Sequence, residues 1–186
     1  YISVGFQLKS GLLTKYLSFD MPSDCIEMSG ETLPSNAPEG SVCVFRCNND
    51  IIIFVYEVDM LARSNKMWEK KDIVKQLKTK KYQKNFRKQI EQFDYKVKKV
   101  SFEYVNDMPA LKTEMVYKGQ STTLSWLIYD NSSRLTVTVS DVNSNYFNRT
   151  IESLSISNFS KDYFKPSHII EPKPLQIELK PLQIEP

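Results

Sequence analysis

The chain has 186 residues, of which 41% are hydrophobic and 25% charged, and its formal net charge at pH 7 is +3. This length and composition fit one folded domain and exclude an intrinsically disordered chain. Only five glycines are present, which argues against a glycine-rich phosphate loop, and no apolar run reaches the roughly 20 residues of a transmembrane helix.

The first predicted elements are strands. Residues 15–28, KYLSFDMPSDCIEM, contain an edge-like strand that ends at Pro22, because proline cannot donate to a sheet ladder. The runs SVCVFRC and IIIFVYEV, separated by a polar turn at residues 48–50, predict a β-hairpin. The second run is apolar on both faces, which indicates a central strand.

A basic helical segment is predicted from Arg63 to Lys99. Its apolar residues recur at helical spacing, and their phase shifts between Leu77 and Tyr82, which predicts a kink or two short helices near Thr79. This apolar stripe contains Ile73, Val74, Leu77, Tyr82, Phe86, Ile90 and Phe93. The segment has 14 lysines and arginines and four acidic residues, a net charge of +10, so the rest of the chain carries −7.

The next region predicts an antiparallel meander, because three runs alternate at period two. The residues expected to share a face within each run are Leu111, Thr113, Met115 and Tyr117; Leu124, Trp126 and Ile128; and Leu135, Val137 and Val139. Such a sheet has one face against a core and one near water. Asn143 or Ser144 then caps a short helix with Phe147, Ile151 and Leu154 on one face, and LSIS forms a final strand.

Residues 1–160 are therefore predicted to form a single α+β domain, and residues 161–186 a proline-rich C-terminal tail. The tail repeats the unit KPLQIE, and the proline of each copy prevents a coiled coil. Apolar and polar residues alternate in each copy, as in a short one-sided strand. We interpret the tail either as an extended arm that adds to a sheet edge or as a duplicated linker. The predicted contact residues of such an arm are Leu175, Ile177, Leu182 and Ile184.

Three cysteines, Cys25, Cys43 and Cys47, cannot all be paired. Cys43 and Cys47 are four residues apart on a predicted strand, which separates them by about 13 Å, beyond bridging distance. We expect small buried apolar side chains, and a bridge from Cys25 to either of the others stays open. The only histidine, His168, gives no zinc-site spacing.

The order of these elements resembles the superfamily that includes the photosystem subunit PsbP, the Ran-binding nuclear factor Mog and bacterial DcrB-like proteins. The resemblance covers about residues 17–157 and is carried by the FDMPSD turn, the apolar hairpin, the helix, the meander entered through YVNDMPALKTEMVYKG, and the closing IESLSIS. It implies a PsbP/Mog-like sandwich, an antiparallel β-sheet flanked by helices. It also implies a non-enzymatic binding or assembly module.

Two sets of residues bear on the question of enzyme activity. Glu57 and Asp59 lie two residues apart near a strand end, where they would bind a metal or share a proton, but such pairs are more often a solvated rim. His168 lies in the proline-rich tail, where it is hard to hold a base at a nucleophile. We therefore predict no enzyme activity and no cofactor or metal.

The basic segment supports a hypothesis of another class. Its lysines would neutralise phosphates of nucleic acid or an anionic membrane surface, with Tyr82 and Phe86 available for stacking. The alternative is a solvated helix face whose apolar stripe packs on the sheet. The candidate partner-binding lysines are Lys70, Lys71, Lys78, Lys81 and Lys84.

The function predicted from sequence is a non-catalytic protein-binding or assembly module of the cell envelope, with oligomerisation through the C-terminal arm open. The alternative is a cytosolic adaptor or chaperone, or a binder of nucleic acid or anionic surfaces through residues 63–99. The start at Tyr1 fits a removed signal or lipid-anchor segment as well as a trimmed chain. A disulfide from Cys25 favours export, and three free thiols favour the cytosol.

Overall fold

A computed structural model describes residues 1–10, 13–29, 32–33, 41–48, 50–58, 69–119, 122–130, 133–140 and 147–157. In chain order the elements are β1 (Ile2–Ser10), β2 (Leu13–Met21), β3 (Ile26–Met28), β4 (Ser41–Cys47), β5 (Asp50–Val58), α1 (Lys70–Lys78), α2 (Lys80–Glu91), β6 (Tyr95–Val105), β7 (Met108–Tyr117), β8 (Thr122–Asp130), β9 (Ser133–Ser140), α3 (Asn148–Glu152) and β10 (Ser155–Ser157). The described chain is α+β and mostly antiparallel sheet, with few helices.

The strands form two antiparallel sheets. The larger has seven strands in the order β3-β4-β5-β9-β8-β7-β6, and the smaller has three in the order β1-β2-β10. The predicted hairpin is confirmed as β4 and β5, and β5 is central because β9 pairs with its other side. The edge position predicted for the strand before Pro22 is wrong, because β2 pairs with β1 on one side and β10 on the other.

The main core lies between the smaller sheet and one face of the larger sheet. Phe19 of β2 stacks on Phe54 of β5 with 4.3 Å between ring centroids, and both rings are buried. Two of the three meander runs predicted to face a core enter this cluster, namely Leu124, Trp126 and Ile128, and Leu135, Val137 and Val139. In the third run, Leu111, Thr113 and Met115 are buried outside this cluster and Tyr117 is only partly buried. The face predicted for Phe147, Ile151 and Leu154 is confirmed as well, since α3 and its flanks bury all three in the main core.

A second, smaller core lies on the opposite face of the larger sheet. Ile73 and Leu77 of α1 pack there against Leu111, Leu127 and Tyr129. The expectation that one sheet face lies near water is therefore wrong for β8, whose alternate side chains enter the two clusters. The resemblance implied helices flanking one sheet, whereas the described residues place a second sheet with the short α3 on one face and α1 and α2 on the other.

A buried ion pair joins the two sheets. The Lys15 ammonium on β2 bonds the carboxylate of Asp130 at the end of β8 and lies 3.4 Å from the Ser133 hydroxyl, with Lys15 only 5% exposed. A buried charge without its partner would be strongly destabilising. The pair therefore favours this one arrangement of β2 on β8.

A disulfide joins Cys25 to Cys47, with 4.2 Å between the Cα atoms. The β3–β4 register pairs Ile26 with Arg46, so Cys25 comes to lie opposite Cys47. The expectation of small buried apolar side chains is therefore wrong for Cys25 and Cys47, and of the two bridges that the sequence left open, the structure has this one. Cys43 is a buried free thiol, as expected, and burial, with a contribution from Glu27, raises its pKa well above the usual range.

Replacing Trp126 by alanine should lower the free energy of unfolding by about 3–5 kcal/mol, because a buried ring is lost from the main core. Trp126 is 4% exposed, and its indole N–H donates to Glu103 Oε1 at 2.7 Å. Trp126→Phe is the matched control: it keeps a ring and should cost only about 1 kcal/mol. Urea unfolding followed by circular dichroism measures both, and an alanine variant as stable as the wild type would contradict the assigned face.

Removing the disulfide with the pair Cys25→Ala and Cys47→Ala should cost about 3 kcal/mol, since the bridge closes a loop with a sequence separation of 22. Reductant should lower the urea midpoint of the wild type and leave that of the double variant unchanged. A Cys43→Ala control should keep its sensitivity to reductant. A wild type that unfolds identically with and without reductant has no such bridge.

Candidate binding face

The helices α1 and α2 carry the basic segment on an apolar base. Ile73 and Leu77, four residues apart on α1, are 2% and 1% exposed and lie on the second core. Residues at this spacing share one face of a helix. The opposite face of each helix therefore has to carry the lysines.

The predicted break near Thr79 is confirmed. Thr79 is extended, with φ −71° and ψ 124°, and separates α1 from α2. Its hydroxyl donates to the Lys75 carbonyl at 2.9 Å, and the Gln83 side-chain amide donates to the Leu77 carbonyl at 2.8 Å. Carbonyls at the end of α1 that lack a helical partner are satisfied in this way.

The helical segment is shorter than predicted. α2 ends at Glu91, and β6 begins at Tyr95. The end of the predicted helical segment, residues 95–99, therefore belongs to a strand. Phe93 was assigned to the apolar stripe, which is wrong, because it is 70% exposed beyond the helix end. Asp94 follows with φ 64°, where the chain turns into β6. The beginning of the prediction, residues 63–68, lies outside the described residues.

The rings of Tyr82 and Phe86, which the sequence offers for stacking, are both partly buried against the second core. The Tyr82 hydroxyl lies 3.1 Å from the Tyr129 hydroxyl. Burial, and secondly this hydrogen bond, raises the pKa of Tyr129 far above its usual value. These contacts hold α2 on the sheet.

All five candidate lysines are exposed, on the outer face of α1 and α2. The Lys70 ammonium lies 5.7 Å from the Tyr104 ring centroid, and the Lys78 ammonium lies 4.8 Å from that of Phe102. The Lys71 ammonium pairs with Glu69 at 2.6 Å, but both side chains are mostly exposed and the pair is therefore weak. The two helices together contain nine basic and two acidic residues, a net charge of +7.

The surface formed by the outer faces of α1 and α2 is called the basic face below. Three more exposed lysines, Lys96, Lys98 and Lys99, lie on the edge strand β6, on the sheet face away from α1 and α2. The Lys98 ammonium donates there to the Thr122 hydroxyl at 3.1 Å and lies 3.6 Å from the Glu114 carboxylate. The Arg87 guanidinium of α2 donates to the Lys98 carbonyl at 3.4 Å, which places α2 next to this edge. Sequence reasoning assigned these lysines to the helix and did not find the aromatic partners Phe102 and Tyr104.

Of the residues considered for catalysis, the structure describes only the backbone of Glu57. Glu57 lies on β5, where its backbone pairs with Arg134 of β9. Asp59 and His168 lie outside the described residues, and so do the tail residues Leu175, Ile177, Leu182 and Ile184. Across the described ranges, no group of three or more His, Cys, Asp or Glu side chains is placed to hold a metal ion. None of the described helices is long and apolar enough to cross a membrane.

No protein-family model and no curated protein matches this chain. Among solved structures it is similar to cyanobacterial PsbP (CyanoP) from Synechocystis sp. PCC 6803, with 12% identity over 75% of this chain and 86% of that chain and a TM-score of 0.46. It is also similar to a protein of Bacteroides thetaiotaomicron VPI-5482, with 12% identity, 78% and 46% coverage and a TM-score of 0.42. The resemblance to PsbP predicted from the order of elements is thus also found among solved structures.

Replacing Tyr82 by phenylalanine should lower the free energy of unfolding by about 1 kcal/mol, because the buried Tyr129 hydroxyl loses a hydrogen-bond partner. Lys81→Ala, one residue away and exposed, is the control and should change stability by less than about 0.5 kcal/mol. Thermal and urea unfolding measure both variants. Equal stability of Tyr82→Phe and the wild type would show that the hydroxyl pair does not hold α2 in place.

Proposed function

We propose that this protein is a non-catalytic binding module of the cell envelope that binds an acidic protein surface through its basic face. The observation that carries the proposal is the separation of the helices into two sides. One side is anchored in the second core by Ile73 and Leu77, and the other presents the lysines to solvent. A predominantly basic surface on a rigid support speeds encounter with a partner of opposite charge and selects against partners of like charge.

Aromatic surface suited to a protein contact lies beside the basic face, on strand β6. Tyr104 is 51% exposed beside the Lys70 ammonium, and its ring meets that of Phe102 edge to face at 5.1 Å. Tyrosines are enriched among the residues that dominate binding energy at protein interfaces. Nucleic acid is less well supported as a partner, because the rings of Tyr82 and Phe86 on α2 are partly buried against the second core.

The disulfide supports the proposed location in the cell envelope. Cys25 and Cys47 are bridged in the structure, and such bridges form and persist in oxidising compartments outside the cytosol. Trapping thiols with an alkylating agent in intact cells tests this part of the proposal. The Cys25–Cys47 bridge should be recovered oxidised, and recovery of both residues as alkylated thiols would instead support the cytosolic adaptor.

The binding face is tested by photo-crosslinking in cells. A photoreactive residue at Asn85, exposed on α2, should capture an acidic protein, whereas the same residue at Glu152, exposed on α3, should not. Four changes, Lys70→Glu, Lys78→Glu, Lys81→Glu and Lys84→Glu, should abolish the capture, because they turn attraction into repulsion. The matched variant with arginine at the same four positions keeps the charge and should retain it.

Three results would contradict this proposal. Nucleic-acid adducts at Asn85 would indicate the phosphate-binding alternative, and binding of the full chain to a single-stranded oligonucleotide would then fall steeply with salt. Equal capture from Asn85 and Glu152 would show that the basic face is not selective. Capture that survives all four glutamate substitutions would show that the lysines do not contribute.

A further inference from the structure

The edge strand β6 has two halves with different surfaces. Its first half carries the exposed lysines Lys96, Lys98 and Lys99, and a β-bulge lies between Val97 and Lys99. The Arg87 guanidinium in addition donates to the Lys98 carbonyl at this place. Lysines, bulges and covering side chains are the features by which proteins prevent an edge strand from pairing with another strand.

The second half, Val100 to Val105, carries no lysine and no bulge, although Lys70 and Lys78 of α1 reach the rings of Tyr104 and Phe102 from the helix side. It pairs with β7 in unbroken register from Val100↔Thr113 to Val105↔Met108. Within the described residues, the backbone of this half makes no hydrogen bond outside that ladder. Val100, Phe102 and Tyr104 alternate along it toward the helices, and Tyr104 is 51% exposed. An open strand edge with an apolar row beside it can accept one more strand.

We propose that residues 175–180 of the chain's own tail add to Val100–Val105 as an eighth strand of the larger sheet. Pro174 and Pro181 bound a proline-free run of six residues, LQIELK, and the open half of β6 is also six residues long. Leu175, Ile177 and Leu179 have the period-two spacing of Val100, Phe102 and Tyr104. Aromatic and branched side chains paired across neighbouring strands stabilise a sheet.

The path of the chain favours its own tail, and not the tail of another copy, as the source of the added strand. The Asn106 side-chain amide donates to the Leu154 carbonyl at 3.0 Å, so the chain enters β10 beside the turn that ends the open half of β6. Residues 158–174 connect β10 to the proposed strand, and this many residues span at most about 56 Å. A tethered segment within reach binds at a high effective concentration.

The proposal does not rest on the partner or compartment suggested above. Hydrogen exchange of the full chain is compared with that of a chain truncated after Pro172. Amides of Val100–Val105 that point away from β7 should exchange at least about tenfold faster in the truncated chain, while amides that pair with β7 keep their protection. Both chains should elute as monomers. A synthetic peptide of residues 173–180 should restore the protection, and a scrambled peptide should not.

Two tail substitutions separate strand addition from a general effect of the tail. Ile177→Asp places a charge in the apolar row and should reproduce the truncation, whereas Gln176→Asp on the other side of the strand should not. Equal exchange of the full and truncated chains overturns the proposal. Protection that moves to the other long edge strand, β1, overturns it as well. Protection that grows with protein concentration together with dimer formation shows that a second copy, not the chain's own tail, occupies the edge.

Discussion

Burial of the larger sheet on both faces at β6, β7 and β8 is the constraint on which the rest of the structure depends. β8 makes this plain, because Leu124, Trp126 and Ile128 enter the main core while Leu127 and Tyr129 enter the second core. One face requires a second sheet, and the other requires an amphipathic cover. The smaller sheet and α1 with α2 supply these, and the basic face is a consequence, since a helix anchored on one side must place its charges on the other.

Much of this fold could be predicted from periodicity. Strands β4, β5, β7, β8 and β9 and the break at Thr79 follow from local patterns that persist in the folded chain. The smaller sheet could not be predicted in the same way, because β2 pairs with β10 at Ser18↔Ser155, and local alternation does not encode a partner so far along the chain. Phe93 was misassigned for a related reason: helical spacing continues in the sequence after the helix has ended at Glu91.

The candidate site was predictable in composition and only partly in arrangement. The density of lysines identified the basic segment. The lysines are exposed because the apolar stripe of the same helices packs on the sheet. The rings under Lys70 and Lys78 were not predicted, because Phe102 and Tyr104 belong to a strand that reads partly as a continuation of the helix. The Cys25–Cys47 bridge depends on the β3–β4 register, which three residues of strand do not reveal in sequence.

The pairing of β2 with β10 has a consequence for the order of folding. During synthesis the N-terminal hairpin β1–β2 emerges first, yet its outer partner is the last described strand and its inner face packs on the later strands of the larger sheet. Leu17 and Phe19, buried in the finished protein, therefore stay uncovered until most of the chain has been made. Closure of such distant contacts is slow. Until then the nascent chain exposes an apolar strand pair, the kind of surface that chaperones shield from aggregation.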